Sequence, residues 1–307
     1  MKNKTIEELL ALLDEGVAQL LEGDEYRQYL KTMSRFPSYS MRNTLLLYKQ
    51  CPQASLVAGF QTWERVFGRH VKKGEKGLRI LAPYSYKVKT KDAAKEKIEI
   101  RTGFRSISVF DISQTEGKPL PPPPQVRTLE GECDLFEPAI PLLERLTGFQ
   151  IERCALEHGV NGTCRYDEQR IRINETLNSR HAFKTLTHEC AHALLHNFGV
   201  CDHSRMDARE QALIDRLLQS PELRETESES VSFVVCMACG IDCSEYSFAY
   251  IATWLSGKEL LPASLARISN CAQKMLLALQ PLLKETAPPA LSAHRASSSP
   301  PGSQTKA

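Results

Sequence analysis

The chain has 307 residues, 42% hydrophobic and 25% charged, the balance of a soluble globular protein with room for two domains. No run approaches the roughly 20 apolar residues of a spanning helix. Glu7, Glu8, Asp14 and Glu15 break the first apolar segment, so neither a membrane partner nor an exported leader is expected, and a cytoplasmic location is. The net charge of +2 hides an asymmetry: residues 1–127 carry 22 Lys+Arg against 14 Asp+Glu, the remainder 17 against 23. A basic half joined to an acidic half predicts modules with different partners. The 10 cysteines show no disulfide framework and read as reduced thiols.

Residues 5–22 carry apolar side chains at helical spacing, with Thr5 and Glu8 as a capping box and Gly23 as the stop. A second helix is expected from Ser40 to about Gln50, then an extended piece around Ser55–Phe60. Leu78–Lys89 and Ile98–Ile112 read as strands, with Gly74 and Gly77 bracketing a basic turn. The run Gly117–Gln125 holds five prolines, which cannot donate to a helix or a ladder and favour a stiff spacer. The expected organisation is a basic module over 1–116, a proline-rich linker over 117–127, a second module over 128–285 and a disordered tail over 286–307.

The second module contains His188-Glu189-Cys190-Ala191-His192, an HExxH motif. Residues four apart lie one turn apart on a helix face, so both imidazoles can converge on one ion, and Glu189 can take a proton from water at the open position. Phe183, Leu186, Ala191, Leu194 and Leu195 give the segment a helical apolar period that ends near Gly199. Zn2+ is the expected cofactor. His196, a further turn on, lies too far along the axis to share the ion and reads as a supporting residue. His203 is a weaker ligand candidate. A helix from Ser220-Pro221 to about Cys239, closed by Gly240, carries Glu225, Glu227 and Glu229. Glu229, where that helix enters its apolar run, is the expected third ligand, with Glu225 one turn earlier as the alternative. Cys236, Cys239 and Cys243 read as structural thiols.

These residues reach a resemblance. The stretch around His188–His196 followed by Glu229-Ser230-Val231 resembles the ImmA/IrrE type of zinc metallopeptidase domain. The resemblance implies a zincin-like α+β fold with His188, His192 and Glu229 on the metal and Glu189 as catalytic base. It also implies a substrate peptide added along the strand Arg170–Asn174. The first module is similar to the ArdC-type antirestriction family through Tyr39–Leu47, Val57–Trp63, Val71–Gly77 and Val109–Ser113. That family's N-terminal domain is shared with TraC-type primases and binds single-stranded DNA. The two resemblances together imply a protein that protects incoming mobile-element DNA from host restriction.

The basic module agrees on its own residues. Arg65–Arg105 holds 13 Lys+Arg against four acids, with Phe60, Trp63, Phe67, Tyr84 and Tyr86 interleaved. The expected DNA contacts are Arg42, Trp63, Arg69, Lys72, Lys73, Lys76 and Arg79. The expected whole is an α+β, two-domain, single-strand-binding zinc peptidase whose protein substrate is a restriction-system component. Alternatives are a non-proteolytic DNA coat with a structural or vestigial zinc site, and a regulatory peptidase that cleaves a repressor. Tyr166, Tyr246 and Tyr250 are candidates for a second oxyanion donor.

Overall fold

A computed structural model describes residues 5–22, 24–92, 95–120, 133–200, 207–243 and 258–283. Gly23, His203, Tyr246, Tyr250, residues 121–127 of the proline-rich segment and the 286–307 tail lie outside the described residues. The fold is mixed α and β.

Helix α1 (Ile6–Gln19) starts at the Thr5–Glu8 capping box, and α3 (Met41–Gln50) at a Ser40 cap. Between them lies α2 (Glu25–Arg35), which the sequence pattern does not announce and which buries Tyr26, Tyr29, Leu30 and Met33 along one stripe. Strand β1 (Val57–Ala58) leads into α4 (Phe60–Arg65) and β2 (Arg69–Val71). The two expected strands are longer than their patterns: β3 (Leu78–Asp92) and β4 (Lys95–Asp111) pair antiparallel from Leu78↔Val109 outward as one two-stranded ribbon. β1 adds to the base of β4, and β2 pairs with β5 (Thr115–Gly117).

The second half opens with α5 (Phe136–Thr147), ended by Gly148 at φ 75°. A small sheet follows, from β6 (Gln150–Cys154), β7 (Gly162–Arg165) and β8 (Arg170–Asn174), in the order β6-β8-β7 with β7 antiparallel to β8. Then come α6 (Ser179–Leu195), capped by Asn178, α7 (Ala208–Gln219), α8 (Pro221–Ala238), capped by Ser220 with Pro221 in its first turn, and α9 (Leu261–Leu283). No helix among the described residues is long and apolar enough to cross a membrane.

A single cluster of buried apolar side chains joins α1, α2 and α3 to α5, α6, α8 and α9. At its centre α2 lies on α8. Ser230 donates to the Thr226 carbonyl, so the Tyr26 hydroxyl donates to Ser230 Oγ, at 2.9 Å. The N-terminal helices therefore help to hold the helix that carries Glu225 and Glu229. Tyr26→Phe is expected to cost about 1 kcal/mol and Leu30→Ala about 2–5 kcal/mol, read by urea denaturation. The core that α1–α3 share with α5, α6, α8 and α9 predicts that these helices unfold in a single transition, followed alike by far- and near-ultraviolet circular dichroism.

Candidate metal centre

Helices α6 and α8 lie side by side, and small residues let them approach. Ser232 Oγ donates to the Lys184 carbonyl at 3.0 Å and lies 2.8 Å from Thr187 Oγ1. On α8, residues 225, 229, 232 and 236 follow helical spacing and meet α6, so two carboxylates face the HExxH turn.

His188 and His192 bring their Nε2 atoms to 3.1 Å. The carboxylate that faces this pair is Glu225, at 3.2 Å from His188 Nε2 and 3.3 Å from His192 Nε2. These three residues are the one group among the described residues whose ligand atoms, all within 4.8 Å of one another, could hold a metal ion. Glu229, the expected ligand, sits on the far side of His188: its Oε2 is 3.1 Å from Nδ1 and 2.8 Å from Lys184 Nζ. The physical reason is the axial offset of α8 against α6, which sets the earlier acid level with the Nε2 pair and the later one level with Lys184.

The hydrogen bonds fix which ring nitrogens carry protons. The Glu229 carboxylate accepts only, so His188 donates through Nδ1–H and turns Nε2 towards Glu225. On the other branch, the wholly buried Glu227 lies 3.1 Å from His196 Nε2, accepts from Ser264 Oγ at 2.6 Å and faces Arg267. Burial opposes the charge of Glu227, but His196 and Arg267 outweigh it and hold its carboxyl below the ordinary range. Burial drives His196 down to about 4, so this ring is neutral. It donates Nε2–H to Glu227 and accepts at Nδ1 from His192 Nδ1–H, 3.1 Å away. His192, like His188, turns Nε2 towards Glu225.

Two Nε2 atoms 3.1 Å apart beside a carboxylate need a proton or a cation between them. With protons alone, burial lowers the His188 pKa, but the hydrogen bonds of Glu225 and Glu229 raise it further, to about 9. The same imidazoles hold the Glu225 carboxyl well below its ordinary range. Two imidazoles and a carboxylate suit a borderline divalent cation that displaces the ring protons on binding, so the residues present fit a zinc-type ion.

Glu189 lies beside this cluster, 8% exposed, and burial raises its carboxyl pKa. A cleft of about 360 Å3 opens there, lined by Gly159–Gly162, His181, Lys184, Thr185, His188 and Glu189. Gly162 forms its roof. A Cβ at that position would lie 2.6 Å from Thr185 Cγ2 and 3.0 Å from Glu189 Oε1, so β7 passes against Glu189 only because residue 162 has no side chain. The substrate edge expected at Arg170–Asn174 is corrected: β8 is paired on both sides, and the edge strand over the cleft is β7. Of the three tyrosine candidates, Tyr166 stands at the site, its hydroxyl 3.5 Å from the His192 carbonyl oxygen.

The expected DNA contacts divide. Trp63 is corrected: it is fully buried against Phe67, and its indole N–H donates to the Phe110 carbonyl at 2.9 Å, so no base can reach it. Arg69 staples β2 to β5 through Thr115, Gly117 and Lys118, and Arg79 is held by Ser106 and Ser108 on β4. Lys72 is exposed but donates to the Ser113 carbonyl at 2.9 Å. Arg42, Lys73 and Lys76 are exposed. Sequence reasoning underweights Glu225, Glu227 and Gly162. The i, i+4 spacing of 225 with 229 is a visible signal for the first, whereas nothing in sequence marks the third.

The first 110 residues match the family described as the N-terminal domain of anti-restriction factor ArdC. An uncharacterized Bacillus anthracis protein designated pXO2-81 is 26% identical over 82% of this chain and 47% of its own length, so the chain spans about half of the curated relative it matches. The fold is similar to the metal-free crystal structure of the antirestriction protein ArdC from plasmid R388, with a TM-score of 0.55 at 18% identity, covering 89% of this chain and 98% of that one. A Mn(II)-bound structure of the same R388 protein gives 0.49 at 17% identity, covering 88% and 97%.

Stripped of metal and titrated calorimetrically with Zn2+, the protein is expected to bind one equivalent. Glu225→Ala is expected to abolish that binding, and Glu229→Ala to weaken it about 10- to 100-fold, because a residue that orients a ligand matters less than the ligand itself. Glu227→Ala strands His196 and Arg267 beside an empty buried site and is expected to cost about 3–5 kcal/mol in chemical denaturation.

Proposed function

We propose that this ArdC-type chain, whose first 110 residues are an ArdC N-terminal domain, couples single-stranded-DNA binding to a metal-dependent peptidase centre and so protects incoming mobile-element DNA from restriction. The observation that carries the peptidase part is the convergence of His188 Nε2, His192 Nε2 and Glu225 beside a buried Glu189, in a cleft under a strand edge.

His188, His192 and Glu225 would hold the cation, with Glu229 and His196 orienting the two rings. A divalent ion there, Zn2+ by its donor set, supplies Lewis-acid polarisation of a carbonyl and acidifies water. Glu189 offers a carboxylate oxygen as proton acceptor for a water in the cleft and returns that proton to the leaving amide nitrogen. Burial raises its pKa towards the working range of such a base. The outer edge of β7 would take a substrate peptide by main-chain pairing. Tyr166, kept protonated by burial, could donate to the developing oxyanion. The substrate this reading favours is a protein of the restriction system. The exposed Arg42, Lys73 and Lys76 would meet DNA phosphates.

Glu189→Gln preserves the shape of the site and removes the base. It is expected to keep its Zn2+ and to lose at least about 100-fold in the hydrolysis of a denatured protein substrate. If this variant still shields a transferred plasmid from restriction as well as the parent, protection does not depend on proteolysis and the DNA-coating reading takes over.

A further inference from the structure

We propose that unpaired bases stack on the outer half of the β3–β4 ribbon, with Tyr84 and Tyr86 as the platform and Arg101 and Arg105 as the phosphate contacts. The inference rests on the single-strand reading above and supplies the aromatic surface that buried Trp63 cannot.

Directly opposed residues of an antiparallel pair project from the same face. The register Ala82↔Arg105, Tyr84↔Gly103 and Tyr86↔Arg101 therefore gathers two tyrosines and two arginines on one side of the ribbon. At the base of the ribbon the corresponding positions, Leu78 and Ile80, are buried in the core, but Tyr84 and Tyr86 are 44% and 43% exposed. Two large rings side by side, each almost half exposed, offer a surface for an occupant.

The glycine across from Tyr84 shapes the platform. A Cβ on Gly103 would come within 2.8 Å of Tyr84 Cζ, so the ring lies down across the neighbouring strand. Its neighbour Tyr86 follows at a centroid distance of 5.7 Å with the planes 35° apart, which gives two adjacent π-faces in one row. The register also brings Glu99 to this face, opposite Val88, so the complement to a phosphate backbone is Arg105 together with Arg101, both exposed. A ribbon two strands wide, with strands about 5 Å apart, is too narrow for the roughly 800 Å2 that each partner buries in a stable protein interface. It suits a single strand running along it. The opposite face, with Ile100 and Phe104 exposed beside Pro83 and Lys87, lacks both the paired rings and the arginines.

The test uses the full-length protein and a fluorescent oligothymidylate, with anisotropy titrations over a range of salt. Tyr84→Ala/Tyr86→Ala is expected to weaken binding at least about tenfold, as base–aromatic stacking requires, and Phe at both positions is expected to recover most of that loss. Arg101→Ala/Arg105→Ala is expected to reduce the slope of log affinity against log salt by about 1.4, or about 0.7 for each phosphate that is no longer neutralised. All four side chains are exposed, so unchanged thermal melts accompany these results. Parent-like affinity of the double tyrosine variant overturns the assignment while leaving single-strand binding intact. Equal affinity of the parent for duplex of the same length also overturns it. No binding of oligothymidylate by the parent protein overturns the single-strand reading itself.

Discussion

The structure turns on the contact between two helices. α6 carries imidazoles one turn apart and α8 carries carboxylates one turn apart, and the site exists because the two ladders are brought level. Serines 228 and 232 are small enough to let the backbones close up. A bulkier side chain at either position would open the gap that Glu225 has to cross. Neighbouring elements support that contact: α9 seals the far side of α8 through Ser264 and Arg267, α2 braces it through Tyr26, and the three-stranded sheet covers α6.

Burying so much charge demands that each group have a partner. Glu227, His196, Lys184 and Glu229 all sit in or near the interior, where an isolated ion would cost several kcal/mol. They occur as two chains of hydrogen bonds that end on the two metal-facing rings. One runs from Ser264 through Glu227 and His196 to His192, the other from Lys184 through Glu229 to His188. Polar networks in a core are stabilising only when complete. Here completeness also sets the tautomers, so the interior prepares the donor atoms from behind.

Much of this is legible in the residues themselves. The i, i+4 histidines, the apolar period around them, and the Ser220-Pro221 start of α8 announce both helices. The choice between Glu225 and Glu229 is not legible, because both lie on one face and only the axial offset of packed helices separates them. Tyr26, Tyr29, Leu30 and Met33 do form a helical stripe, yet charged neighbours mask α2 in a plain reading of the chain. The place of β8 in its sheet is also hidden, since the short and half-polar β7 gives little period to recognise. Trp63 misleads because an aromatic among basic residues looks the same whether it faces solvent or the interior.

The brace of α2 against α8 bears on how such a chain can change over time. Tyr26 meets α8 one residue from Glu229, so the N-terminal helices and the half that carries the candidate metal centre are joined by a fitted seam. Grafting the first half onto another body would uncover the side of α2 that meets α8 and strip the support from the helix that carries Glu225 and Glu229. Recombination that separated the two halves would have to mend both surfaces at once.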